Sequence, residues 1–250
     1  MKIDLNCDLG ESFGNYKIGM DEEVIKYISS ANIACGFHAS DPLVMERTVA
    51  LAKANGVKVG AHPGFPDLAG FGRRSMNVSP KELRTMVIYQ IGALNAFCKA
   101  NEIKMNHVKP HGAMYNMAAK DGRLAFAIAE AVAQVDESLV LIGLSGSALL
   151  IAAKEVGIKC ASEVFADRAY EDDGSLVPRT KIGAVITNEE EASDRAVQMI
   201  KFGKVKSISG KEIPIIADTI CIHGDTPQAL HLARIMRAKF AREQIEAQAL

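Results

Sequence analysis

The chain has 250 residues, 48% hydrophobic and 24% charged, with 29 Lys and Arg against 30 Asp and Glu. These charges are well mixed, so no basic stripe marks a nucleic-acid or anionic-membrane partner, and no apolar run approaches the roughly 18–20 residues of a membrane span. Five scattered cysteines without a CxxC pair, and an N-terminus that turns acidic at Asp4, argue against a disulfide framework, a zinc knuckle and a secretory signal, so a cytoplasmic home is expected.

Short β-type runs alternate with longer helical ones along the chain. The first strand is expected at 2–8 and the second at 32–38. Asp41-Pro42 then opens a helix that stops at Asn55-Gly56. A third strand at 57–62 leads into a long connection, 63–77. From Ser79 the start signals are complete: Ser79 as N-cap, Pro80 at the first helical position and Glu82 closing a capping box. Leu83, Val87, Ile91, Leu94 and Cys98 follow at steps of three and four, which is one face of a helix. Strands are expected next at 105–111, 139–145 and 159–167, with Gly157 stopping the helix before the last of these. A second long connection, 168–181, precedes a short extra strand at 182–186. Thr187 with Glu190 reads as another capping box, on a helix that Gly203 ends. A hairpin at 205–213, a seventh strand at 217–223 and a helix opened by Thr226-Pro227 complete the chain.

Strands alternating with helices in this way imply right-handed βαβ units and a parallel sheet. Seven strands fit either an open doubly wound sheet or a closed barrel, in one domain over residues 1–250. Residue parity separates the two, because successive strand residues point to opposite faces. One face carries Asp4, Asn6 and Asp8; Asn32 and His38; Gly60 and His62; His107, Lys109 and His111; Glu163, Phe165 and Asp167; Thr219, Cys221 and His223. The other face is mostly aliphatic and suits an outer layer of helices. Buried charges must pair, bind ligands or meet water, since isolated ones cost several kcal/mol (order of magnitude). Polarity that grows toward the strand ends therefore points to a barrel with a site at its C-terminal rim. Asp4 and Asn6 read as hydrogen-bonders inside the lumen, and Cys221 as the one cysteine on the site face.

No GxxxxGK[ST] phosphate loop is present. Gly143-Leu144-Ser145-Gly146-Ser147, at a strand-to-helix turn, is a candidate anion cradle. Arg73 and Arg74 beside the third strand, with Arg168 and Arg179 flanking the second long connection, supply guanidinium forks suited to a carboxylate or phosphate.

Six ordered motifs span the chain. They are Asn6-Cys7-Asp8-Leu9-Gly10-Glu11-Ser12-Phe13-Gly14, Ala34-Cys35-Gly36-Phe37-His38, Gly60-Ala61-His62-Pro63-Gly64, Phe71-Gly72-Arg73-Arg74, Val108-Lys109-Pro110-His111-Gly112-Ala113 and Ile222-His223-Gly224-Asp225. Together they resemble the LamB/YcsF family. The resemblance implies an irregular seven-stranded parallel β/α barrel, TIM-like and similar to the glycoside hydrolase/deacetylase superfamily. It also implies the A subunit of an ATP-dependent 5-oxoprolinase, which opens the lactam of 5-oxoproline to glutamate with separate B and C subunits.

The residues give that chemistry a rationale. Phosphorylation of the amide oxygen by ATP, carried with Mg2+, would activate a resonance-stabilised lactam. Lys109 or an arginine would neutralise the charge. Asp8 or Asp167 would orient or deprotonate water, and His111 or His223 would protonate the leaving nitrogen. Asn6, Arg73, Arg74, Glu163, Arg168 and Arg179 are candidates for holding the substrate. Two other readings stay open. In one, Asp8, His38 and His62 hold a divalent metal in a stand-alone hydrolase or deacetylase. In the other, the chain is a non-catalytic subunit that binds substrate and docks its partners.

Overall fold

The computed structural model describes residues 1–222 and 227–250. Among these, ten strands and eight helices follow in chain order: β1 (Lys2–Leu9), α1 (Asp21–Val24), β2 (Ser30–Ala34), α2 (Pro42–Ala54), β3 (Lys58–His62), α3 (Pro80–Ala100), β4 (His107–Val108), α4 (Gly112–Ala118), α5 (Gly122–Val135), β5 (Val140–Leu144), α6 (Ala148–Val156), β6 (Cys160–Phe165), α7 (Glu189–Phe202), β7 (Lys204–Lys206), β8 (Glu212–Pro214), β9 (Thr219–Ile222), α8 (Pro227–Arg242) and β10 (Glu246–Ala247). Strands β1 to β6 and β9 pair in parallel, and β9 returns to β1, so the sheet is a closed seven-stranded barrel. The doubly wound alternative is thereby removed. Strand β10 pairs with the first residues of β1, outside the ring, and β7 with β8 forms the hairpin expected near residue 205.

The helix signals work as physics predicts. Ser79 Oγ accepts from the Glu82 N–H, while Glu82 Oε2 accepts from the Ser79 N–H at 2.7 Å. The buried face of α3 includes Leu83, Val87, Ile91, Leu94 and Cys98. Asp41 caps α2 through the N–H groups of Leu43 and Val44, and Gly157 and Gly203 take left-handed conformations at the ends of α6 and α7.

Three expectations need correction. The cap of α7 is Asn188, whose Oδ1 accepts from the Glu191 N–H at 3.0 Å, one residue beyond the Thr187–Glu190 box. Residues 182–186 make no strand, only an isolated bridge from Val185 to Arg168. The fourth strand is two residues long, because the chain advances three residues, Asn106 to Lys109, against two on β3, Val59 to Ala61. That step is a bulge, and Pro110 then offers no N–H to continue the ladder.

The aliphatic faces form one core beneath the helices, while the lumen is polar and hydrogen-bonded. Asp4 accepts from Ser29, Ser30 and Thr219 hydroxyls, and burial raises its carboxyl above the usual range. Asn32 donates to Asn6 Oδ1 at 2.7 Å and to Asp8 Oδ1 at 2.8 Å. His107 donates through Nε2 to Asn32 Oδ1 at 2.8 Å. Its ring fills the space over Gly60, where a Cβ would lie 2.1 Å from His107 Cδ2, so β3 tolerates no side chain there.

Burial, followed by repulsion from Lys109 and His62, pushes His107 down to about 3. Its folded form is therefore neutral where an unfolded histidine, with a pKa near 6.5, takes up a proton. Stability from this residue is full above about pH 6.5 and is lost as pH falls toward 3. Urea unfolding at pH 7 and pH 4 should show a smaller loss of stability in His107→Gln than in the unaltered chain. An unchanged difference would mean that His107 is not the group resisting protonation.

Candidate functional site

The C-terminal ends of the strands open into a cavity of about 860 Å3 lined by Asp8, Glu11, His62, Lys109 and His111, among others. On its floor lies a buried lysine. Lys109 Nζ donates to Asp8 Oδ1 at 2.8 Å, to Cys221 Sγ at 2.9 Å and to Asn6 Oδ1 at 3.3 Å, and lies 3.1 Å from Glu163 Oε1. Burial works against its charge, but the carboxylates of Asp8 and Glu163 outweigh it and hold the ammonium well above its ordinary pKa. The Cys221 thiol is itself pushed up, first by burial, so at neutral pH it is a neutral neighbour rather than a nucleophile.

Beside this ion pair stands a cluster of three imidazoles and a carboxylate. His62 ends β3, His111 caps the start of α4, and Glu11 and His38 follow β1 and β2 on turns. One ligand-type atom from each of Glu11, His38, His62 and His111 lies within 4.8 Å of all the others. His62 Nδ1 donates to the Lys109 carbonyl at 2.6 Å, and His111 Nε2 donates to the Phe71 carbonyl at 2.8 Å. The other two nitrogens, His62 Nε2 and His111 Nδ1, face each other at 2.9 Å. Asp8 Oδ2 is 3.3 Å from His62 Nε2, and Glu11 Oε1 is 3.6 Å from His111 Nδ1. His38 Nε2 lies 3.2 Å from Glu11 Oε1, and its ring stacks on His111 at 3.7 Å with 2° between planes. Burial, then neighbouring imidazoles, pulls His38 well below its ordinary pKa and His111 down to about 3. Gly64 and Gly72 make the room: a Cβ at Gly64 would lie 2.5 Å from His38 Nδ1, and one at Gly72 would lie 2.8 Å from His111 Cδ2.

Asp8, His62, Lys109 and His111 thus converge, and Arg73, Arg168 and Arg179 line the same cavity. Asn6 and Glu163 lie beneath it, fully buried. The Asn6 amide donates to Glu163 Oε1 at 3.0 Å, so both brace Lys109 from the lumen instead of facing a substrate. Arg168 is buried, donates to the carbonyls of Ala184 and Val177, and is pulled down to about 10, chiefly by burial. It pins the long connection that forms one wall. Arg74 is placed apart from these: its side chain is 69% exposed, pairs with Asp67 and is not among the lining residues. Asp167 also lies off the lining. His38 reaches the cluster from a turn rather than a strand, because β2 stops at Ala34 and Gly36 turns the chain at φ +89°. The expectation for His223 falls outside the described residues.

Glu11 is the residue that parity missed as a site group. Gly10, at φ +68°, breaks the strand's alternation just before it, so only its place in the Asn6-to-Gly14 motif signalled it. Tyr115 and Phe165 also line the cavity, with rings 6.2 Å apart edge-to-face.

Replacing Lys109 by Met should strand the carboxylates of Asp8 and Glu163. A broken buried pair typically costs about 3–5 kcal/mol. Adding Glu163→Gln to Lys109→Met should restore part of that loss in urea unfolding. A double variant no more stable than Lys109→Met alone would show that Glu163 is not held by the ammonium.

Comparison with known proteins adds relatives of matching length. The chain is 65% identical to the 5-oxoprolinase A subunit of Clostridium beijerinckii, over 98% of this chain and 96% of that protein. It is 56% identical to the protein of the same name from Staphylococcus haemolyticus, with both chains covered in full. A crystal structure of a lactam utilization protein from Thermus thermophilus superposes with a TM-score of 0.96 at 48% identity, over the whole of both chains. A putative cellobiose-phosphate cleavage protein from Enterococcus faecalis shares only the fold, with a TM-score of 0.55 at 10% identity, over 98% of this chain and 96% of that one. The family model described as LamB/YcsF matches residues 3–250. With its barrel, its strand-end cluster and this match from end to end, the chain belongs to the LamB/YcsF family.

Proposed function

We propose that this chain is the A subunit of an ATP-dependent 5-oxoprolinase, opening the 5-oxoproline lactam to glutamate in a cytoplasmic complex with B and C subunits. The observation that carries the reading is the buried Asp8–Lys109 pair on the floor of the cavity, in a chain 65% identical to a protein of that name over nearly its full length. The five cysteines, all thiols in the structure, fit a reducing compartment.

A lactam resists water because its nitrogen shares electrons with the carbonyl. ATP, supplied with Mg2+ at the level of the complex, provides the activation by phosphoryl transfer to the lactam oxygen. This chain's residues then handle charge and protons. The Lys109 ammonium stabilises negative charge on the activated carbonyl. Asp8, next to His62 Nε2 at 3.3 Å, orients the attacking water. Water addition forms the new C–O bond and the C–N bond breaks, the proton released by the attacking water passing through the cavity to the departing nitrogen. The acyl phosphate so formed gives glutamate and inorganic phosphate on reaction with a second water. Arg73 and Arg179 on the lining meet the substrate carboxylate or the phosphate. A stand-alone metal hydrolase is a second reading, favoured by the imidazole and carboxylate cluster.

The deciding measurement is 5-oxoproline-dependent ATP hydrolysis and glutamate release, by this chain alone and with its B and C partners. Turnover is expected only in the complex. Asp8→Asn in the assembled complex should slow it by about 100-fold or more, the usual scale for a positioned acid–base group. A complex that assembles with Asp8→Asn and turns over at the unaltered rate would leave this chain a docking subunit. Hydrolase activity by the chain alone, without ATP, would favour the second reading.

A further inference from the structure

We propose that Glu11, His62 and His111 form a binding site for a first-row divalent cation at the barrel mouth, with His38 orienting Glu11 from behind. Two backbone carbonyls set the tautomers of the rings. A carbonyl only accepts hydrogen bonds, so the Lys109 carbonyl fixes a proton on His62 Nδ1 and the Phe71 carbonyl fixes one on His111 Nε2. In neutral rings the remaining nitrogens carry lone pairs. Those nitrogens, His62 Nε2 and His111 Nδ1, face each other at 2.9 Å, closer than two lone pairs sit without something positive between or beside them. Two carboxylates border the gap, with Asp8 Oδ2 at 3.3 Å from one nitrogen and Glu11 Oε1 at 3.6 Å from the other. The backbone has built a concentration of electron pairs that calls for a cation.

The spacing fits a metal ion. Bonds of about 2.0–2.1 Å in a tetrahedral shell place neighbouring ligand atoms about 3.3 Å apart, and the observed 2.9 and 3.6 Å bracket that edge. The carbonyl partners of His62 and His111 are the outer hydrogen bonds that metal-bound imidazoles typically carry to fix their tautomer. His38 lies within the same 4.8 Å cluster, yet its ring is parallel to His111 at 3.7 Å, so its lone pairs cannot converge with those of His111 on one ion. Its Nε2, 3.2 Å from Glu11 Oε1, instead positions the carboxylate. Glu11, His62 and His111 line the cavity, which leaves the fourth position facing it. Three protein ligands with an open side is the arrangement of catalytic sites, and two imidazoles with one carboxylate suit Zn2+, Co2+ or Mn2+ over Mg2+ or Ca2+. The geometry of the chain carries this site independently of the lactam reading.

Co2+ titration of the full-length, chelator-stripped chain reads the site without any activity assay. We expect visible absorption saturating near one equivalent, displaced by Zn2+ and not by Mg2+. His111→Asn or Glu11→Gln should abolish saturation. His38→Gln should weaken binding by about 10–100-fold, the usual range for an outer-shell partner, while Arg74→Ala should leave it unchanged. Absence of stoichiometric Co2+ binding, or binding undiminished in a folded His111→Asn variant, would overturn the proposal. Should the variants unfold, nitrogen-15 spectra of the metal-free chain at neutral pH decide: the Nδ1–H form of His62 and the Nε2–H form of His111 support the site. An imidazolium sharing a proton across the 2.9 Å gap would replace it.

Discussion

An ammonium ion buried in the barrel is the constraint around which the lumen is organised. Lys109 is nearly inaccessible, its side chain 4% exposed, and a lone charge there would cost several kcal/mol (order of magnitude). Two carboxylates, from β1 and β6, answer it, and each is in turn engaged by the amide of a neighbour. Asn32 donates to Asp8 Oδ1, and Asn6 donates to Glu163 Oε1. Thr219 accepts from Asn6 and donates to Asp4. The polar face of four different strands is thus one hydrogen-bonded system with the lysine at its upper end. That system explains why inward-facing positions are not filled with the aliphatic layers of an ordinary barrel. Asp4, Asn6, Asp8, Asn32, Glu163 and Thr219 each answer a polar partner that another inward residue presents.

The same logic, with backbone in place of carboxylates, governs the mouth. The Lys109 carbonyl orients His62 while the Lys109 ammonium holds Asp8, so one residue fixes both sides of the site. Phe71 performs the equivalent service for His111 from the loop after β3, where it lies at φ +53°. Gly72, also left-handed at φ +63°, has its carbonyl capped by the Ala113 N–H. Loop and helix start are therefore locked together, and the imidazoles are positioned by main chain rather than by packing alone. Sites held in this way change little when a ligand arrives, which favours chemistry that needs groups preorganised.

Much of this was legible because strand parity is a rigid rule. Asp4, Asn6 and Asp8 on β1, His62 on β3 and Cys221 on β9 lie where alternation put them, since those strands are regular. The rule fails where regularity ends. His38 follows a turn at Gly36, and Glu11 follows the left-handed Gly10, so neither position has a parity to read. Both nonetheless enter the cluster, His38 as an expected site residue and Glu11 from a motif alone. Arg74 illustrates the opposite limit. A basic loop beside a site looks like a substrate clamp in sequence, but Asp67, seven residues earlier, satisfies that guanidinium locally. The offset of the α7 cap has a similarly local cause, with Asn188 and Thr187 competing for one helix start and Asn188 reaching the Glu191 N–H.

Hydrogen-bond capacity narrows what Asp8 can do. Its Oδ1 receives both the Lys109 ammonium and the Asn32 amide, each at 2.8 Å. A carboxylate oxygen has two lone pairs, so Oδ1 is filled by structural partners. Any chemistry at Asp8 must pass through Oδ2, the oxygen 3.3 Å from His62 Nε2. That oxygen stands between the ammonium that would stabilise charge on a carbonyl and the imidazole pair proposed to hold a cation. Asp8 therefore joins the two halves of the cavity: loss of its carboxylate disturbs Lys109 on one side and His62 on the other, whereas Glu11 contacts His38 and His111, and Cys221 contacts Lys109. Substitutions at those two flanking positions separate the contributions that any change at Asp8 combines.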